Sequence, residues 1–443
     1  MKGAPAQSQA RKWLDRIWWV WLAAVLVSAF TLYQTGYICR YTATDFRGYY
    51  ASAQIAWQQG FAHVYHQPTQ DGYQAELPLT CPDGSLGWPP LRVSMPYLPA
   101  FVVLFLPLPV LEFSSSYIGW TLFNLMVLIL YCWRFGRALS ATVSGLKLFE
   151  WAICLPLLAT LSLGQMNVFL MVCLGEFTLA LVRGKEIRSG LWLAGMLIKP
   201  HSLILLLPGL AVGRRWRPLL GFLAGAGLIL WTSYLLAGAQ GLEGMLGMVF
   251  QFADPAFGTA PAMMNWRSLA LNLQAIAPAW LAWGLALAGM ALVAVLGLAL
   301  WRIQPAQSHA ENAASLASVG QVIDPERATP PSLWTLHLIL ATYAATCAIA
   351  WHSHFYMLLP MVPFLLYLDS LNRVPTGLLA LWIWGPPVVY GLLAWVDPGL
   401  ARNGLGLGML GFNLIFFAWL RSSLVKGRRL DLGSEDIRAQ AVS

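Results

Sequence analysis

Apolar residues along this chain come in continuous runs closed by short polar or basic clusters. Several runs approach the about 20 residues that carry an α-helix across roughly 30 Å of hydrocarbon, where a backbone must satisfy its own hydrogen bonds as helix. They fall at about 17–34, 97–111, 117–133, 148–163, 166–182, 189–213, 218–238, 278–301, 333–351, 355–371, 376–395 and 404–421. The pattern predicts an all-α polytopic membrane protein with about ten to twelve transmembrane or re-entrant helices. The segment 35–95 is too polar to span, carrying Asp45, Arg47, Asp71, Glu76, Asp83 and Arg92 among several Pro and Gly. It reads as a structured loop with a short amphipathic helix near Tyr49–Gln59 that lies on the bilayer face.

Charge sets the direction of threading. Arg11, Lys12 and Arg16 precede the first run and no small-residue cleavage site follows it, so it reads as an uncleaved span leaving the cytoplasm. Residues 1–16 are then cytoplasmic, and 35–95 is the first external loop of one transmembrane domain, 17–421. The basic loop Arg183–Arg188 should be cytoplasmic, yet four full spans between 97 and 182 would put it outside. Either the 148–182 stretch, broken at Gly164-Gln165, is one bent crossing, or one run is re-entrant. Arg188 and Arg214-Arg215-Trp216-Arg217 flank 189–213, and Lys199-Pro200 interrupts it, so a re-entrant hairpin with both ends cytoplasmic is expected. The later spans place a second external loop at 239–277, a cytoplasmic linker at 302–332, His352–His354 outside, and the tail 422–443 with Lys426, Arg428 and Arg429 inside. The Ala, Ser, Gln and Pro content of Gln304–Pro331 predicts disorder there. No internal repeat and no second soluble domain is visible.

Composition narrows the class. The chain is 58% hydrophobic and 10% charged, against about 25% charged in a soluble domain. A net charge of +8 could signal nucleic-acid binding, but the cations sit in clusters between apolar runs, the positive-inside pattern, and no nucleic-acid partner is expected. The 22 tryptophans suit the membrane–water interface. The six cysteines form no CxxC and no Cys/His cluster, so no metal site is assigned. Cys39 and Cys81 share one external loop, which leaves a disulfide open. Walker lysine, HExxH and GxSxG patterns are all missing.

Four constellations can carry chemistry. In Asp45-Phe46-Arg47-Gly48-Tyr49-Tyr50 a carboxylate stands among aromatics at the external face, as a general base or as the cap of the helix that follows. Trp351-His352-Ser353-His354-Phe355-Tyr356 puts two of seven histidines between consecutive spans, either donating to a leaving phosphate or simply facing water. Lys199-Pro200-His201 puts a charge inside an apolar run, meeting an anion or snorkelling, while Gln165 and Asn167 offer amides at a helix break. In 239–277, Asp254, Trp266 and Arg267 supply an acid, a ring and a cation for sugar and phosphate, or anchor the interface.

Taken together these segments resemble glycosyltransferase family 87, the polyprenol-phosphate-mannose-dependent α-mannosyltransferases of the GT-C superfamily. The likeness runs from about residue 44 to 365 through Asp45–Tyr50, Gly60–Tyr65, Trp88-Pro89-Pro90, Gly164–Asn167, Lys199-Pro200, Arg214–Arg217 and Trp351–His354. It implies a GT-C-type helical bundle in which Asp45 is the base and His354, after Trp351, is catalytic or contacts phosphate. Family members often read Trp-x-His-His where this chain has His352-Ser353-His354. It further implies an inner (plasma) membrane enzyme, both termini cytoplasmic and its site external or periplasmic. The partners would be the bilayer, a polyprenyl-phosphate-sugar donor and a lipid or glycan acceptor. Arg47, Tyr49, Tyr50, Gln165, Asn167, Lys199, Trp266, Arg267, Trp351 and His352 are expected to bind substrate. No cofactor is expected, although some GT-C relatives use a divalent metal. A lipid-linked sugar transporter or flippase, and an envelope polysaccharide polymerase or ligase, are the competing functions.

Overall fold

The computed structural model describes residues 43–77, 93, 95–139, 148, 151, 154–251, 260–303, 333–371, 373–396 and 398–442. The run at 17–34, the Cys39 and Cys81 pair, Trp88-Pro89-Pro90, Asp254 and the linker Gln304–Pro331 lie outside them. The elements are all helical: α1 Thr44–Gln58, α2 Gln67–Ala75, α3 Pro99–Val102, α4 Phe113–Ala138, α5 Leu155–Leu163, α6 Asn167–Val182, α7 Glu186–Ala194, α8 Leu206–Val212, α9 Trp216–Gln251, α10 Trp266–Leu273, α11 Ala279–Leu300, α12 Leu333–Ile349, α13 Val362–Ser370, α14 Thr376–Val396 and α15 Pro398–Val442. Among the described residues, Phe113–Ala138, Trp216–Phe250, Ala279–Leu300 and Asn403–Val425 are long and apolar enough to cross a membrane. Their outward leucines, such as Leu122, Leu223, Leu285 and Leu292, are exposed, as lipid-facing side chains must be.

α1 begins earlier than the expected Tyr49–Gln59 helix and does not lie on a surface. Its Phe46, Arg47, Tyr49, Tyr50 and Ile55 are buried, because α2 and its neighbours cover the polar side. Gln70 donates to Ser52 Oγ and to the Val64 carbonyl, both at 2.8 Å, while Gln74 donates to the Val93 carbonyl at 2.9 Å. These buried amides tie α1, α2 and the 3-10 turn Phe61–Tyr65 into one unit.

The 97–111 run does not form a continuous span. Prolines at 99, 107 and 109 break it into α3 and short 3-10 pieces. At its start Tyr65 donates to the Tyr97 carbonyl at 2.6 Å, and at its end Tyr50 donates to the Leu111 carbonyl at 2.8 Å. Both ends therefore return to the α1 unit. The 148–182 stretch, by contrast, is two passages. α4 and α6 run parallel, since Trp120 meets Gly164 and Phe169, Tyr131 meets Glu176, and Arg183 meets the end of α4. Tyr117, near the start of α4, bonds the Leu161 and Ser162 carbonyls, so α5 leads back to that end.

The 186–213 segment is a hairpin. Lys199, at φ −138° and ψ 81°, separates two 3-10 turns at its apex. α7 and α9 pack parallel through glycines: a Cβ on Gly190 would stand 1.9 Å from the Pro218 carbonyl oxygen, and one on Gly225 would stand 2.7 Å from the Ala194 Cβ. Parallel neighbours require α8 to bring the chain back, and Arg215 bonds Glu186 at 3.2 Å where the two ends meet. α9 bends at Gly238, φ 64°, and its far part packs on the Phe61–Tyr65 turn through Gly241 and Gly244. Arg183, Lys185, Arg188, Arg214, Arg215 and Arg217 therefore gather at one end of the bundle, and α1 lies toward the other.

Candidate active site

Asp45 stands in the first turn of α1. The helix N-cap is Ala43, and no side chain caps it. The carboxylate instead accepts from Gln165 Nε2 at 2.5 Å, so the simple capping role does not describe this aspartate. Gln165 follows the αL residue Gly164, φ 73°, at the sharp break between α5 and α6. It sits over α1 because Gly164 has no Cβ to strike Phe46.

Lys199, at the hairpin apex and 6% exposed, donates to Gln165 Oε1 at 2.7 Å and to Asn167 Oδ1 at 2.9 Å. The hairpin thus reaches from the basic end of the bundle to the Asp45 end. Asn167 donates to Thr160 Oγ1 at 3.1 Å. Tyr49 completes this half of the site, its hydroxyl 3.3 Å from that of Tyr97 and 3.4 Å from Gln165 Oε1.

Tyr356 joins this half to the histidines. Its hydroxyl accepts from Gln165 Nε2 at 3.5 Å, Lys199 Nζ lies 5.1 Å from its ring centroid, and His354 stacks on it at 5.0 Å. His352 lies edge-on to His354 at 5.1 Å and 6.1 Å from His201. Beyond them Arg267, 1% exposed, sits 4.7 Å from the centroid of Trp351, which stacks on Trp283. Asn265 caps α10 by accepting from Ser268 N, and its amide donates to the Ala350 and Trp351 carbonyls. That amide fixes α10, and with it Arg267, against the histidine loop.

Burial raises the Asp45 pKa above the usual 3.8, with the Gln165 hydrogen bond and the Lys199 charge opposing it. Asp45 as a residue is only half-buried. Burial, then the charges of Lys199 and Arg267, pushes His352 down to about 3, which leaves a neutral imidazole between two cations.

Asp45, Tyr49, Gln165, Asn167, Lys199, Arg267, Trp351, His352 and His354 thus form one linked set. Three other expected residues point elsewhere. Arg47 bonds the Gln74 carbonyl at 3.3 Å and faces the Phe113 ring, Tyr50 bonds the Leu111 carbonyl, and the Trp266 ring packs against Gly289. Tyr97 joins the site without a sequence signal, because interfacial tyrosine is common and it belongs to no charged motif, whereas Tyr356 stood in the histidine cluster but had no role assigned to it. His201 was visible beside Lys199-Pro200 but had no role assigned to it.

Such a site can accept a proton at Asp45 and hold an anion between Lys199, Arg267 and the histidines. The sequence profile of glycosyltransferase family 87 matches residues 96–325, more than half of the chain. The matched region includes Gln165, Asn167, Lys199 and Arg267, whereas Asp45 and His352–His354 lie outside it. No curated protein and no solved structure matches.

Proposed function

The chain belongs to glycosyltransferase family 87, and from that premise we propose that it moves a sugar, mannose, from a polyprenyl-phosphate donor to a lipid or glycan acceptor. One observation carries this reading: a carboxylate held by Gln165 and a buried cation, Arg267, beside the histidine loop belong to one linked set at one end of an apolar helical bundle. Buried cations are costly unless they meet an anion or a polar partner, and a lipid phosphate is an anion that arrives from the bilayer. The arginines and lysine around Glu186 put the other end in the cytoplasm under the positive-inside rule. The site then faces the outside of the plasma membrane, where no nucleotide donor is needed.

Asp45 takes the proton of the acceptor hydroxyl as its oxygen bonds to the anomeric carbon. The bond from that carbon to the phosphate oxygen breaks on the opposite side, and its electron pair leaves with the polyprenyl phosphate. Arg267 balances the charge on the departing phosphate, and His354 and His352 offer it hydrogen bonds. A single displacement inverts the anomeric centre, so a β-linked donor gives an α-linked product. The side chains supply the charge this step requires, and no cofactor is assigned a part in it.

The test is transfer of labelled mannose by purified protein into membrane lipid and glycan extracts. Polyprenyl-phosphate-mannose is expected to serve as donor, and neither a nucleotide sugar nor a lipid-diphosphate oligosaccharide. Transfer from the diphosphate donor would instead make the protein a polymerase or ligase. Movement of the lipid-linked sugar across vesicles without transfer would make it a flippase.

A further inference from the structure

Gln165 is the side chain that touches both the proposed base and a cation. The two ends of an amide are chemically distinct: the oxygen only accepts and the NH2 only donates. A protonated lysine only donates. Lys199 Nζ stands 2.7 Å from one end of Gln165 and 2.9 Å from one end of Asn167, so both amides must turn their oxygens toward it. The reverse flip of Gln165 would press NH2 against an ammonium and oxygen against the Asp45 carboxylate, losing two hydrogen bonds at once. The NH2 of Gln165 is thereby committed to Asp45 Oδ2, at 2.5 Å. Asn167 gives the same reading, because its oxygen faces Lys199 and its NH2 reaches Thr160. Gln165 is 4% and Asn167 0% exposed, so water is poorly placed to replace these partners.

We propose that Lys199 is a positioning residue that acts through Gln165, locking the amide so that it holds Oδ2 of Asp45 and leaves Oδ1 to receive the acceptor proton. This rests on the reading of Asp45 as the base. It differs from a direct role in which the Lys199 ammonium meets the donor phosphate.

The two roles separate in the pH profile. The titratable groups that face Asp45 are Lys199, Tyr49, Tyr97 and Tyr356, with His354 stacked behind Tyr356 and His352 beyond it. The active form of the base is the carboxylate, so kcat rises with pH as Asp45 loses its proton. Gln165 and Lys199 both favour the carboxylate against burial. Without either, Asp45 holds its proton to higher pH, and the acid limb of the profile moves up, by roughly one unit.

Lys199→Met, Gln165→Leu and the double variant, in the full chain, provide the experiment. Each single variant is expected to lower kcat by up to about tenfold at a given pH on the acid limb, to recover at higher pH, and to keep the donor KM within about twofold. The double variant is expected to be slower than either single one by less than the product of the two losses, because both changes break the same relay while the Lys199 charge also acts on Asp45 directly. Retained donor binding shows that the variants are folded. An unmoved acid limb with a raised donor KM, or losses that multiply in the double variant, would overturn the proposal and give Lys199 to the phosphate. Asp45→Asn is assayed alongside: full activity in that variant would remove the base itself and the relay with it, while an inactive Asp45→Asn beside an unshifted Lys199→Met would sink the relay alone.

Discussion

A Cβ on Gly164 would stand 2.5 Å from the Phe46 Cβ, and its φ of +73° lies in the left-handed region that other residues enter at a cost. This one position lets the α5–α6 break close over α1 and bring Gln165 to Asp45. Gly164→Ala is expected to cost about 1–3 kcal/mol of stability and to slow turnover further by lifting the amide from the carboxylate. Thermal unfolding and transfer rate of the purified variant check both. Asp45, Lys199 and His352 were legible in the sequence because charged or titratable residues are scarce in so apolar a chain and fall at run ends or breaks. Tyr97 was not, and Tyr356 stood in the histidine cluster without a role, since their partners come from remote segments: Tyr97 meets Tyr49 and Tyr356 meets Gln165. Tertiary packing alone makes those meetings. Arg47 misled for a related reason, as a charge beside Asp45 in sequence turns away from it when the helix forms.

At the scale of elements, the hairpin 186–213 decides how far a residue near the basic end can reach. Basic flanks and Lys199-Pro200 announced it, but the glycine contacts that seat α7 on α9 carry no distinctive local pattern. Gly190 faces the Pro218 carbonyl with no room for a side chain, whereas Gly227, on the face of α9 turned away from α7, has open space around it. Gly190→Val is therefore expected to lower the unfolding temperature, at a cost of about 1–3 kcal/mol or more. Gly227→Ala is expected to be neutral or slightly stabilising, because alanine favours helix. Equal effects at the two positions would mean that α7 and α9 do not touch there. The Glu186 to Arg215 pair marks where the ends meet but adds little stability, since Arg215 is half exposed. Proline spacing at 99, 107 and 109 held the clue that 97–111 is broken into short pieces, and its hydropathy pointed instead to one continuous run.

The whole molecule is polarised, with arginines and lysine at one end of the bundle and the Asp45 set at the other. If the first end is cytoplasmic, His63→Cys, in the exposed turn beside α1, should react with an impermeant maleimide applied to intact cells. Lys185→Cys should react only after permeabilisation, both in a chain depleted of its own cysteines. The opposite labelling would turn the protein over and put the site where soluble nucleotide donors are found. The membrane class and the run boundaries were readable because continuous apolar length is a strong signal. The threading of 97–182 was not, because parity depends on which runs pack parallel, and that is fixed by contacts such as Trp120 with Gly164. The central claim is that Asp45 is the base of a lipid-phosphate-sugar transfer. It is tested most directly by Asp45→Asn, measuring donor binding and single-turnover mannose transfer on the same preparation. The account predicts donor affinity within about threefold of the parent and a transfer rate lower by about 10²–10⁴-fold, the range general base catalysis supplies. Transfer at the parent rate with donor bound would contradict it.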